Sequence, residues 1–448
     1  MSMLDLPKST ISFSWAMSLL GAQEVANLFA SQNRREPGRE AERAAYSVKQ
    51  AAESQFSDLI WATFVVGDEI QDDVVDLVFD VLTLRAFSPC YIRTLASDIL
   101  GQSARSFAVL TPPESGLARQ ELKNNYEVFN LVKHVRALLH IPPAPDFPLE
   151  ELVERAYGLG EYQDLWAVEG LGHDYADALW GLAPIRDILT NERARALPDK
   201  SLTMMHAGIG LSFAQHLMQT VTPYSSESEI RKVLDQFIAL CRDNARDGYI
   251  GASYESLGLV TRTWHAQMVP IVDRLLCEID EEIAGYFWHG AGRALYFFPV
   301  YFVPGSLSPW RVAEREAPHE MGRLNAIAGL SWATTLVNIR QPEILANLLK
   351  HQGGQLSKNE GFSNGVMSSL IMGIDTTPED VYVRAFSRYE PNASEGGAVE
   401  MWENLVGVPA RTAIERYHSV LKQHDRLGEV FRYQSLSGLV AGLEGRAP

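Results

Sequence analysis

Cysteine is scarce: Cys90, Cys241 and Cys277 are the only three in 448 residues, odd in number and far apart. That excludes a disulfide framework and a Cys-x-x-Cys zinc pattern, and it fits a reducing, cytoplasmic setting. Basic residues are also in short supply, 39 Lys plus Arg against 56 Asp plus Glu, for a formal charge of −17. A nucleic acid or an anionic membrane surface is therefore not expected as a partner, since either needs clustered positive charge. No stretch reaches the ~18 continuous apolar residues of a membrane span. The one segment resembling a signal peptide, Lys8 followed by Ile11 to Ala22, has Asp5 in its leading part and continues with helical spacing, so it reads as a helix. Strand signals are few, and no Gly-Lys-Ser/Thr follows any Gly-x-Gly pair, which argues against a phosphate loop.

What the chain does have is a repeat. Six times between Trp166 and Ile371 a glycine opens a run of small and apolar residues, with aligned positions Gly172, Gly210, Gly251, Gly292, Gly329 and Gly365. Successive members are 38, 41, 41, 37 and 36 residues apart. A near-constant period of this length predicts stacked helix-turn-helix units. Glycine inside a helix costs roughly 1 kcal/mol against alanine, so six at one register call for a packing reason. Four are followed four positions later by a small residue, Ala176, Ala214, Ala333 or Ser369, on the same helical stripe. Glu255 and Tyr296 break the rule in the other two. The pattern predicts an all-α, α-solenoid-like core of about six ~38-residue units whose glycines form tight helix seams.

Within that core, Glu169-Gly170, Gly208-Ile-Gly210, Asp247-Gly248-Tyr249, Gly290-Ala-Gly-Arg-Ala-Leu-Tyr-Phe297 and Ala328-Gly-Leu-Ser331 follow one another in order. In order and spacing, from Leu165 to about Met372, this resembles the bacterial proteins encoded in enediyne polyketide biosynthesis clusters, a family without an assigned reaction. The resemblance implies a secondary-metabolite context and no catalytic residues. The chain departs from the family pattern at His206 and His289, where aromatic or amide residues are expected.

Four parts are expected along the chain. Residues 1–105 read as long amphipathic helices, broken at Asn33, Pro37 and Gly38; the composition of 10–85 is similar to that of phasins, the helical coat proteins of polyester granules. Residues 106–148 read as a helical connector ending in a linker, because four prolines fall within 142–148. The repeat core spans 149–376, with a surface loop at 298–309. Residues 377–448 hold a loop near 388–398 and capping helices.

Two constellations are chemical candidates. Asp72-Asp73-x-x-Asp76 places acidic groups on one helical face, as prenyl-diphosphate enzymes do to hold Mg²⁺, although no second metal motif or basic cluster accompanies it; a solvated acidic face is the plainer explanation. The second is the set in register with the glycines: Glu169, His173, His206, Glu255, His289 and Arg293. Helices packed about 8–10 Å apart would let these side chains converge. Glu169, His206 and His289 could form a two-histidine, one-carboxylate metal site, or one histidine with a carboxylate could serve as an acid/base pair. No His-x-x-x-His marks a metal helix, and Arg293 disfavours a cation nearby. No cofactor is therefore assigned. Aromatics near the motifs, including Trp166, Trp288, Tyr296 and Trp332, would either fill a core or make a concave surface apolar.

Together these features lead us to expect a cytoplasmic accessory or tailoring protein of a natural-product pathway. Its partners would be a hydrophobic intermediate or a pathway enzyme bound on the repeats, and a homo-oligomer is allowed. The alternatives are an enzyme using the glycine-register residues, a scaffold or granule-surface protein acting through its N-terminal helices, and a prenyl-diphosphate enzyme.

Overall fold

A computed structural model of the protein describes residues 112–445 except 142–147, 182–183, 193, 298–307 and 393–396. The expected helices of 1–105, the granule-protein-like segment, Asp72, Asp73, Asp76 and most of the proline linker lie outside the described residues. The compact unit treated below begins at Pro112.

Its longer helices are α1 (Pro112–Lys133), α2 (Leu149–Tyr157), α3 (Gln163–Leu179), α4 (Leu202–Met218), α5 (Glu227–Asn244), α6 (Ile250–Trp264), α7 (Val269–Ile279), α8 (Glu281–Phe297), α9 (Ser308–Glu316), α10 (Glu320–Val337), α11 (Pro342–Leu356), α12 (Glu360–Thr376) and α13 (Val381–Ser387). A helical stretch at 397–423 with two π-helical turns follows, then a short 3₁₀ segment, Leu427–Phe431, and α14 (Leu436–Glu444). There is no strand among the described residues, so the expected all-α helical-repeat core is what the chain forms.

Two kinds of helix alternate. α3, α4, α6, α8, α10 and α12 carry the six aligned glycines and pack against one another in chain order. From α4 onward a shorter or more polar helix, α5, α7, α9 or α11, lies between each successive pair. The glycine helices have no single apolar stripe because they are buried nearly all round; in α4 every residue from Leu202 to Ala214 is buried. α5 is the opposite case, with Ile230, Val233, Leu234, Phe237 and Cys241 buried at helical spacing and charged residues outward. Its start is fixed by a capping box: the Ser226 N–H donates to Glu229 Oε2 and the Glu229 N–H to Ser226 Oγ. α7 and α11 begin with a proline in the first turn, where the missing N–H has no partner to lose.

The glycines serve the seams. A Cβ on Gly210 would stand 2.4 Å from the Ser253 carbonyl oxygen, one on Gly292 1.9 Å from that of Ala326, and one on Gly365 2.2 Å from that of Ala328. Gly251 is the exception in kind, facing the Gly428 carbonyl of the C-terminal segment.

The row of inner helices curls back on itself. The Tyr162 hydroxyl, at the start of α3, donates to the Val337 carbonyl at the end of α10 over 2.8 Å. Thr203 of α4 donates to Asp375 of α12 over 3.2 Å, and the rings of Trp166 and Trp332 meet edge to face at 6.4 Å. The repeat aromatics therefore fill an interior: Trp166, Trp288, Tyr296 and Trp332 are all buried. The concave apolar surface that an open array would offer is not how these four side chains are used, because curling back puts them in the core. α1 joins the same core, with Phe129 packed edge to face on Phe297 and Arg340 paired with Glu127.

Candidate functional site: a buried carboxylate, histidine and arginine network

Four of the six glycine-register candidates meet in the interior. Arg293 of α8 donates from Nη2 to Glu169 Oε1 of α3 at 2.7 Å and from Nη1 to Glu255 Oε2 of α6 at 2.9 Å. His289, one turn before Arg293, places Nδ1 2.9 Å from Glu255 Oε1. None of these side chains is more than 2% exposed. The guanidinium lies over the Trp332 ring, its carbon 4.5 Å from the ring centre, a cation–π contact strengthened by the absence of water.

Local sequence explains why the groups reach each other. His289 and Arg293 are four residues apart and share a face of α8. Each network helix is brought close at the network itself: a Cβ on Gly208 would lie 1.9 Å from the Glu169 carbonyl oxygen, one on Gly290 2.0 Å from that of Glu255, and one on Gly329 1.8 Å from that of His289. The two positions that break the small-residue rule now have a reason. Glu255 enters this network, and the Tyr296 hydroxyl is held by Asn338 Nδ2 at 2.7 Å and lies against Glu121 at 3.2 Å.

The two carboxylates differ in character. Burial pushes the Glu169 carboxyl up, and the Arg293 charge only partly offsets it. Burial also acts on Glu255, but Arg293 and the His289 hydrogen bond together outweigh it and hold Glu255 below the usual range. Arg293 is pulled down by burial and more than restored by its two carboxylates. One guanidinium facing two carboxylates leaves a negative charge that a proton on Glu169 or His289 would cancel. With Nδ1–H given to Glu255, a neutral His289 presents Nε2 as an acceptor, and Nε2 has no partner; nor do Arg293 Nε and the indole nitrogens of Trp166 and Trp332. The arrangement can hold and move a proton, or simply lock α3, α6 and α8 together.

The remaining candidates lie elsewhere. His173 donates from Nε2 to Gln215 at 2.8 Å at the α3–α4 seam. His206 gives Nδ1–H to the Leu202 carbonyl at 2.7 Å, receives the Arg246 N–H on Nε2 at 2.9 Å, and stacks on Tyr249. Burial holds its pKa down at about 4, so it is a neutral core histidine. The metal set Glu169, His206 and His289 is not assembled among the described residues, because both His206 nitrogens are spent and Arg293 occupies Glu169.

Two further polar clusters went unread in the sequence. Asp375 of α12, 1% exposed, receives Lys422 at 2.7 Å, His418 at 3.1 Å and Thr203. Asp273 and Cys277 of α7 meet His319 at the start of α10. Asp273 and Cys277 are four apart on one helix, which was visible, but the histidine is 42 residues beyond Cys277 and only the fold brings it there.

Comparison of the chain with protein-family models, with curated proteins and with solved structures finds no match in any of the three.

Proposed function

We propose that this protein is a cytoplasmic accessory protein of a bacterial secondary-metabolite pathway, acting by binding a hydrophobic intermediate or a partner enzyme on a rigid helical scaffold. The pathway context rests on the ordered motifs between Leu165 and Met372. The observation that carries the binding mode is the mutual commitment of Glu169, Glu255, His289 and Arg293: each charged group is spent on another, all are buried, and one guanidinium ties together α3, α6 and α8. Such a network favours one packing over its alternatives more than it adds net stability.

One observation favours a second reading, an enzyme whose Glu255–His289 pair moves a proton. The free Nε2 of His289 and the raised Glu169 carboxyl are the features of a working acid/base site. Complementation separates the two. In a producing host lacking the gene, His289→Gln and Glu255→Gln proteins that are folded by circular dichroism should restore product formation if the protein acts by binding. Folded variants that accumulate the unconverted intermediate would establish the enzyme instead. Native mass spectrometry of the wild-type protein from the same host should then find a co-purified small molecule or pathway enzyme; recovery of the bare chain alone would count against binding.

A further inference from the structure

Away from the buried network, three side chains of different chemistry converge where α7 meets the start of α10. His319 Nε2 lies 3.0 Å from Asp273 Oδ1 and 3.6 Å from Cys277 Sγ, and Sγ lies 3.8 Å from the same Oδ1. One sulfur, one nitrogen and one oxygen thus bound a triangle with sides of 3.0, 3.6 and 3.8 Å. A tetrahedral zinc ion with its ordinary bond lengths holds nitrogen and oxygen ligands about 3.3 Å apart, and sulfur about 3.5 Å from either. Each side of the triangle is within about 0.3 Å of that requirement. We propose that Asp273, Cys277 and His319 form a binding site for a zinc-like divalent cation.

The surroundings suit a cation. Asp273 is buried and anchored by the Trp288 indole N–H, which donates to Oδ1 at 2.6 Å, an outer partner that fixes the direction of the carboxylate. Arg274, the next residue, is turned to Glu227 and Glu278 and so does not neutralise the site. Burial, then the charge of Asp273, with Glu281 adding, pushes the Cys277 thiol up to about 11. The metal-free thiol is therefore protonated, and a bound cation displaces its proton to water. Cys277 is at the surface and His319 is partly exposed, so ion and solvent can reach the site. Three protein ligands with solvent access leave a fourth position for water, the pattern of sites that hold an exchangeable ligand.

Binding has an identifiable cost. His319 Nδ1 accepts the Gly322 N–H at 2.9 Å and caps α10. That bond requires the ring proton on Nε2, where it donates to Asp273. A metal on Nε2 moves this proton to Nδ1 and breaks the cap, a loss that is small beside the binding energy of a site with a thiolate ligand.

The test uses the full chain, stripped with chelator and titrated with cobalt(II) and zinc(II). We expect one equivalent of cobalt to bring up a thiolate-to-cobalt charge-transfer band and tetrahedral visible bands, both bleached by zinc. Cys277→Ser should lose the charge-transfer band and bind zinc more than about 100-fold more weakly. Cys90→Ser should behave as the parent. His319→Asn keeps a capping side chain, so it should fold normally and lose metal. Absence of the band in the folded parent, its survival in Cys277→Ser, or its loss in Cys90→Ser would each overturn the proposal.

Discussion

Gly290 and Glu255 belong to neighbouring helices whose backbones touch: a Cβ on Gly290 would lie 2.0 Å from the Glu255 carbonyl oxygen. The glycine that closes the seam is next to His289, which bonds the Glu255 side chain, so one approach sets both the packing and the network.

Alanine at Gly290 or Gly329 therefore forces two backbones apart. We expect a loss of at least ~3 kcal/mol, the upper end for overpacking, measured by urea denaturation, or failure to fold. Gly354 is the control. It lies within α11 with nothing within 4 Å of its would-be Cβ, so Gly354→Ala should gain about 0.5–1 kcal/mol from helix propensity. Equal effects at Gly290 and Gly354 would contradict the seam account.

Replacing Arg293 by methionine leaves Glu169 and Glu255 buried together without a cation. Stability at pH 7 should fall by about 3–5 kcal/mol. The loss should shrink between pH 7 and pH 5, because protonating a carboxylate now removes the uncompensated charge. Denaturation curves at both pH values check this; a pH-independent loss would mean that packing alone was disturbed.

The two carboxylates should respond to pH with opposite signs. Glu169 is held above its unfolded value, so its contribution is fully present at low pH and is lost as pH rises through the folded pKa. Glu255 is held below, so its contribution is present above the unfolded pKa and is lost as pH falls. Glu169→Gln should thus cost less at pH 8 than Glu255→Gln, and only the latter should flatten the loss of stability on acidification. Identical pH profiles for the two variants would contradict the assignment.

His206 supplies a separate acid-sensitive element. Its pKa is about 4 in the fold, so between pH 6.5 and about 4 the unfolded chain binds a proton that the folded chain refuses. Stability is present above 6.5 and is lost as pH falls through that window, by about 3 kcal/mol in all. His206→Gln should remove most of that dependence while lowering stability at pH 7; an unchanged acid-unfolding midpoint would sink the idea.

Part of this molecule was legible in its residues. The glycine period located all six inner helices, because a glycine seam imposes a composition that survives in one dimension: small residues at fixed spacing with apolar ones around them. Glu169, Glu255, His289 and Arg293 stood out for the same reason, as polar residues at a register otherwise kept small or apolar. His173 and His206 shared that register and do not join the network, since a helical register fixes the face of a residue but not which neighbour the face meets. That depended on the row of helices curling back, which brings Trp166 to Trp332 and Glu169 of α3 to Arg293 of α8 across 124 positions. The Asp273, Cys277 and His319 cluster was hidden for the same physical reason: Asp273 and Cys277 share α7, but His319 stands at the start of α10, and only tertiary packing sets the few ångströms between its ring and their donor atoms.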